Sequence, residues 1–187
     1  MLEVYRAAAE LQRRCDAQRW RFCLIGGLAL QRWGEPRETI DVDVTLLTGC
    51  GSEESFIRTI LSWYEPRVPD AMSFALVNRV VLVQAPSGVG IDIALGGLPF
   101  EELAVERATP YEFMPGVFLR TASAEDLIVM KAFAARPKDW VDVEAIIIRQ
   151  AGKLDWPYIR GQLGPLVELK GEPEILSRLE SLRERGE

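Results

Sequence analysis

Residues 21–44 read RFCLIGGLALQRWGEPRETIDVDV. The run Arg21-Phe22-Cys23-Leu24-Ile25 is too short and too apolar for a surface helix, and Gly26-Gly27 ends it, so a strand and a tight turn are predicted there. Residues 28–33 follow as a short helix closed by Gly34 and Pro36. The stretch 39–46, TIDVDVTL, alternates polar and β-branched residues with period two, which predicts a strand with one wet face or edge. On such a strand Asp41 and Asp43 point the same way, while Val42 and Val44 point into the core. Two carboxylates held side by side repel and raise each other's pKa unless a cation sits between them, and a divalent metal is the natural resolution. The pair alone is a weak signal, because nine aspartates in this chain predict about 0.4 D-x-D pairs by chance, and a solvated strand edge is the competing reading.

Working outward, residues 2–19 carry Leu2, Tyr5, Ala8, Ala9, Leu11 and Cys15 at helical spacing and predict an amphipathic helix. Residues 53–64 predict a second helix, ended before Pro66 and Pro69. Two runs, 80–85 and 89–95, flank Pro86-Ser87-Gly88 as a hairpin, and Pro99 opens a short helix over 99–108. Residues 111–114 and 117–120 flank Pro115-Gly116 as a small second hairpin. Ser123 stands three residues before Asp126 as a cap, and helices are predicted from there, over 138–150, 156–163 and 173–185. Strands fill the first two thirds and helices the last third. The expected class is α+β, a mixed β-sheet packed by helices, with 1–121 as an α/β core and 122–187 as a helical part packed on it.

Composition removes whole classes of chemistry. The 187 residues contain no histidine, so Ser-His-Asp and Cys-His catalysis, HExxH metalloproteases and histidine-ligated zinc deaminases are all excluded. What remains is carboxylate, Lys, Arg, Tyr or Cys chemistry, and carboxylates favour hard, oxygen-ligated ions such as Mg²⁺. Cys15, Cys23 and Cys50 are odd in number and form no C-x-x-C, so reduced thiols of a cytoplasmic protein are expected. No apolar run approaches the ~20 residues that span a bilayer, and no secretory leader is expected. The net charge of -6 divides unevenly, with seven Lys/Arg against four Asp/Glu up to Arg37 and 15 against 24 beyond it. That balance favours a small polyanion or one short nucleic-acid end over long tracking of nucleic acid.

Two further features join the aspartate pair. In Ile91-Asp92-Ile93 a carboxylate is flanked by apolar residues on a predicted strand that can pair beside 41–44. Asp92 then shares the wet surface with Asp41 and Asp43, and three carboxylates there can coordinate one or two Mg²⁺ that clamp a triphosphate; the competing reading is an ordinary exposed strand residue. Gly26-Gly27 leads into a helix, where backbone N–H groups and the positive end of the dipole bind phosphate oxygens, although strand–Gly-Gly–helix is also a common tight turn. Neither the P-loop nor the GxGxxG pattern occurs. The five tryptophans read as core residues, with Trp140 as the one candidate for stacking on a base.

Taken in order, Ile25-Gly26-Gly27-Leu28-Ala29-Leu30, then Arg37-Glu38-Thr39-Ile40-Asp41-Val42-Asp43-Val44, then Asp92 with Leu95-Gly96-Gly97-Leu98-Pro99-Phe100-Glu101, resemble the nucleotidyltransferase superfold of DNA polymerase β type. The likeness is to its minimal bacterial members, similar to the AbiEii/AbiGii abortive-infection toxins. Lys131, followed by Arg136-Pro137-Lys138-Asp139 and Asp142, is similar to that family's C-terminal motif. One departure is plain: many members carry Ser after the first motif glycine, where this chain has Gly27, so a hydroxyl that would touch a phosphate is lost.

The resemblance implies that Asp41 and Asp43 bind Mg²⁺ with the triphosphate of an NTP, and that Asp92 completes a second metal site and helps deprotonate the acceptor. Gly26 and Gly27 would cradle the β/γ-phosphates, with Thr39 beside them. Lys131 and Lys138 would bring positive charge to the triphosphate, with Lys131 among the catalytic residues, and Arg37 would either add to that charge or order the loop before the strand. Asp139 and Asp142, at i, i+3, share a helix face; the competing reading makes Asp139 only an N-cap and Asp142 a partner of Lys138 or Arg136. The implied reaction is Mg²⁺-dependent transfer of an NMP to a hydroxyl of a tRNA 3′ end or a protein side chain, as the toxin of a toxin–antitoxin pair with a separate antitoxin partner. The same motifs serve transfer to a small molecule, as in aminoglycoside nucleotidyltransferases, or a catalytically silent antitoxin or regulator that binds a nucleotide or a partner protein.

Overall fold

The computed structural model describes residues 1–186, and Glu187 lies outside them. The chain forms two compact units, one of Met1–Leu28 with Glu38–Ala122 and one of Ala29–Arg37 with the residues from Ser123 onward.

The first unit is built on a seven-stranded sheet. Its strands are β1 (Phe22–Leu24), β2 (Asp41–Leu47), β3 (Glu65–Pro66), β4 (Val80–Gln84), β5 (Gly90–Gly96), β6 (Thr109–Met114) and β7 (Val117–Thr121), in the order β3-β4-β5-β2-β1-β7-β6. Two neighbouring pairs, β2 with β5 and β1 with β7, run parallel, and the others are antiparallel. A parallel pair needs a long crossover between its members, and residues 48–89 provide it between β2 and β5.

Helix α1 (Leu2–Ala17) buries Val4, Ala7, Ala8, Leu11 and Cys15, an apolar stripe at helical spacing, in the same core as Val42, Val44, Ile91 and Ile93 of the sheet. Helix α3 (Glu53–Trp63) adds Ile57 and Ile60 to that core. Helix α5 (Pro99–Arg107) starts on a proline, and the Glu101 carboxylate accepts hydrogen bonds from the N–H groups of Gly97 (2.7 Å) and Leu98 (2.8 Å), satisfying two donors at the helix start.

Two elements were not foreseen. Strand β3 and helix α4 (Ala71–Asn78) occupy the stretch where Pro66 and Pro69 predicted only a break. The sequence AMSFALVN is apolar on nearly every side, so it shows no helical stripe, and its start is set instead by the Asp70 carboxylate accepting from the Ser73 N–H at 3.5 Å. Helix α2 (Gly26–Trp33) also begins two residues before the expected start, so both glycines lie in its first turn.

In the second unit, helix α6 (Ala124–Ala134) is buried over most of its surface. Helices α7 (Pro137–Arg149), α8 (Trp156–Lys170) and α9 (Glu174–Gly186) complete the unit. The expected cap is present: Ser123 Oγ accepts from the Asp126 N–H at 3.1 Å and donates to Asp126 Oδ2 at 2.6 Å. Tyr158 donates to the other oxygen of that buried carboxylate at 2.6 Å, so Asp126 is satisfied on both sides. Trp140 is buried rather than available to a base: its indole N–H donates to the Ala135 carbonyl at 3.2 Å and the Arg178 guanidinium lies 4.7 Å from its ring. No helix among the described residues is long and apolar enough to cross a membrane.

Candidate functional site

In the first unit β2 and β5 run in parallel register with Asp43 directly opposite Asp92 and Asp41 opposite Gly90. Adjacent strands lie about 4.8 Å apart, so the side chains of Asp43 and Asp92 are neighbours on one face. The alternate residues Val42, Val44, Ile91 and Ile93 are no more than 1% exposed, which fixes the register and turns all three carboxylates to the opposite, partly exposed side.

Asp43 and Asp92 already have partners. Asp43 Oδ2 accepts from the Gly27 N–H at 3.4 Å. Gly26 has φ +56°, and a Cβ on it would overlap the Asp43 carboxylate, so this glycine is demanded both by backbone conformation and by the close approach of β2. Asp92 is ion-paired with Arg67, the residue just past β3, whose own N–H donates to the Leu82 carbonyl at 2.9 Å. Burial pushes the Asp92 carboxyl pKa up; the Arg67 guanidinium works against this, and the negative charges of Asp43 and Asp41 add to the rise, so the net shift is upward.

Thr39 is buried over Gly27, and its Oγ1 donates to the Asp41 carbonyl at 3.2 Å. A Cβ at position 27 would overlap that hydroxyl and stand 2.7 Å from Thr39 Cβ. The glycine where many relatives of the resembled family have serine thus has a local reason: the space is filled by the threonine two residues before Asp41.

The donor set suits a hard divalent ion, since three carboxylate side chains face one side of two adjacent strands. Among the described residues, no three acidic or thiol side chains stand close enough to hold an ion as they are placed. As placed, Asp92 is paired with Arg67, and Asp43 accepts from the N–H at the start of α2.

The second unit holds the remaining expected residues. Lys131 is 7% exposed, and its Nζ donates to Asp142 Oδ2 at 2.6 Å and to Asp139 Oδ1 at 3.5 Å. Arg37 grips the same Asp142 with two hydrogen bonds, Nε to Oδ1 at 3.2 Å and Nη2 to Oδ2 at 3.0 Å. Burial tends to raise the Asp142 pKa, but the hydrogen bonds from Arg37 and Lys131 more than offset it and hold this carboxyl below its usual range. Asp142 is therefore a partner of Lys131 and Arg37, not of Lys138 or Arg136. Asp139 is not the cap of α7 either; that position is Arg136, whose Nε donates back to Asp139 Oδ2 at 2.5 Å. Lys138 is exposed in the first turn of α7.

One residue of this arrangement escaped the sequence reading. Arg67 lies between two prolines in a segment with no periodicity, and nothing local marks it as a partner of a strand 25 residues later.

The family described as "Nucleotidyltransferase of unknown function (DUF6036)" matches residues 1–164. No curated protein matches the chain. Among solved structures, the chain is similar to an antigenic nucleotidyltransferase-like protein from Paracoccidioides brasiliensis, at 17% identity and a TM-score of 0.53, over 95% of this chain and 92% of that one. It also matches a crystal structure of ANT(2")-Ia in complex with adenylyl-2"-tobramycin, at 17% identity and a TM-score of 0.42, over 98% of this chain and 95% of that one. The first of these likenesses supports the nucleotidyltransferase-like fold; the second is too distant to add to it.

Proposed function

Since the chain belongs to this family of nucleotidyltransferases, we propose that it transfers an NMP from an NTP to an acceptor hydroxyl with the help of divalent metal, releasing pyrophosphate. The observation that supports this most is the β2–β5 register, which sets Asp43 opposite Asp92 with Asp41 two residues along the same face. Mg²⁺ held by Asp41, Asp43 and Asp92 would neutralise the triphosphate and make the acceptor hydroxyl more acidic. The chain's own part is placement. Asp92, on the same face as the other two carboxylates, is the group the resemblance assigns to helping take the acceptor's proton. Gly26 and Gly27 at the start of α2 offer backbone donors to the phosphates, with Thr39 buttressing the turn. Lys131 and Lys138 are assigned to the nucleotide by the motif resemblance alone, and Arg37 is assigned to holding Asp142.

The acceptor follows from the resemblance to the AbiEii/AbiGii toxins: a tRNA 3′ end or a protein hydroxyl, inside a cytoplasm that also supplies an antitoxin. Incubation of the purified protein with α-labelled NTPs and whole lysate tests this. The expected result is Mg²⁺-dependent label on RNA or protein, absent in Asp41→Asn/Asp43→Asn. Label on a small molecule would replace the acceptor assignment, and label retained by the double variant would overturn the mechanism.

A further inference from the structure

Arg67 has no part in the motifs that define the site, yet it is the residue that occupies it. Its guanidinium is paired with Asp92, the carboxylate opposite Asp43. It also shares with Asp41 the space above Gly90: a Cβ at position 90 would overlap Asp41 Oδ1 and stand 2.9 Å from Arg67 Nη1. The glycine leaves room for a cation brought by the protein itself, beside two of the three carboxylates proposed to take up metal. The arginine is well anchored for this, because β3 pairs with β4 through Glu65 and Pro66 and the Arg67 N–H is bonded to Leu82. Its side chain is only 30% exposed, against 36% for Asp92, so the pair is partly shielded from water.

We propose that Arg67 is a built-in competitor of the divalent cation, a positioning residue that neutralises the carboxylate cluster before nucleotide arrives and must release Asp92 for an ion to be held there. The inference rests on the metal-dependent reading above. Its physical basis is that one carboxylate cannot give the same oxygens to a guanidinium and to a cation. If the ion pair is formed about 90% of the time, the apparent affinity for a free ion falls about tenfold. A bare divalent ion is thereby disfavoured, whereas one arriving with a triphosphate has additional contacts to offset the exchange.

The test is the binding of Mn²⁺ alone, without nucleotide, followed by the electron paramagnetic resonance signal of the free ion. Arg67→Gln is expected to bind Mn²⁺ about tenfold more tightly than the wild type, and Arg67→Lys, which keeps the charge but not the forked geometry, to fall between them. A purely structural role for Arg67 predicts the opposite sign, since a loosened site binds less. Equal or weaker Mn²⁺ binding by a folded Arg67→Gln, checked by circular dichroism, overturns the inference and leaves the metal-dependent reading standing. Absence of Mn²⁺ binding by both the wild type and Arg67→Gln also overturns the inference, and if Mn²⁺ with an NTP fails to bind as well, the metal-dependent reading falls with it. Should Arg67→Gln not fold, Arg67→Lys decides the matter by the same sign.

Discussion

Replacing Asp142 by alanine removes three hydrogen bonds at once: one from Lys131 at 2.6 Å and two from Arg37 at 3.0 and 3.2 Å. The lysine is the costly survivor. It is 7% exposed, and its remaining partner, Asp139, is 3.5 Å away and already shared with Arg136. Breaking a buried ion pair from one side costs about 3–5 kcal/mol, because the other charge stays buried without compensation. In a chain of this size each kcal/mol moves Tm by about 2–4 °C, so a drop on the order of 10 °C is expected. Arg37→Ala should cost no more than about 1 kcal/mol, because that side chain is 46% exposed and water can serve the vacated carboxylate oxygens. The double variant Lys131→Met/Asp142→Leu should recover most of the loss, since it removes the stranded lysine and leaves the buried Asp139 paired with Arg136 and the half-exposed Arg37 to water. Urea denaturation of the four proteins gives the comparison. An Asp142→Ala cost below about 1 kcal/mol, or a double variant as unstable as the single one, would refute the buried-pair account. The pair also has a pH signature. With the folded pKa of Asp142 below its unfolded value of about 3.9, its contribution is complete above that value and is lost as the pH falls through the folded one. Asp142→Asn should therefore lose less stability than the wild type as the pH falls below about 4.

At the glycine turn, Gly27→Ser should destabilise by about 1–3 kcal/mol through its collision with Thr39, and Thr39→Ala in the same chain, which removes the hydroxyl but keeps the Cβ, should relieve part of it; equal Tm values for the single and double variants would remove the hydroxyl from the steric explanation. The cysteines should separate by reactivity. Burial, with a smaller contribution from Asp16, pushes the Cys15 thiol pKa up to about 12, and Cys23 is wholly buried, whereas Cys50 is exposed. Alkylation of the native protein followed by mass spectrometry should modify Cys50 alone, with all three modified in urea, and early labelling of Cys15 would contradict the packing of α1.

The aspartates on β2 and β5 were legible because a strand has a period of two: apolar residues at 42, 44, 91 and 93 leave 41, 43 and 92 only one face to occupy. That 89–95 pairs beside 41–44 was an expectation without a register, and the hairpin at 86–88 a separate one; β5 joins both β4 and β2. The glycines were legible as a turn but not for their cause. A Cβ at Gly26 meets Asp43 and one at Gly27 meets Thr39, contacts between segments more than ten residues apart that no local pattern encodes. Helix α4 was invisible for the opposite reason, its apolar residues lying on nearly every side, with Val77 80% exposed. Arg67 and the exchange of partners around Asp142 share one explanation: a long charged side chain chooses its partner by three-dimensional proximity, and spacing along a helix pointed to Lys138 and Arg136 instead.

The central claim is that the carboxylates of β2 and β5 form a metal-dependent nucleotide site. Its most direct test is the thermal stability of the purified protein with each NTP, with and without Mg²⁺, beside Asp41→Asn/Asp43→Asn. Saturation at a hundredfold over Kd contributes about 2.7 kcal/mol, roughly 5–10 °C here. The account predicts a rise of that size with at least one NTP, dependent on Mg²⁺ and lost in the double variant. No rise with any NTP, or an equal rise in the double variant, would contradict it.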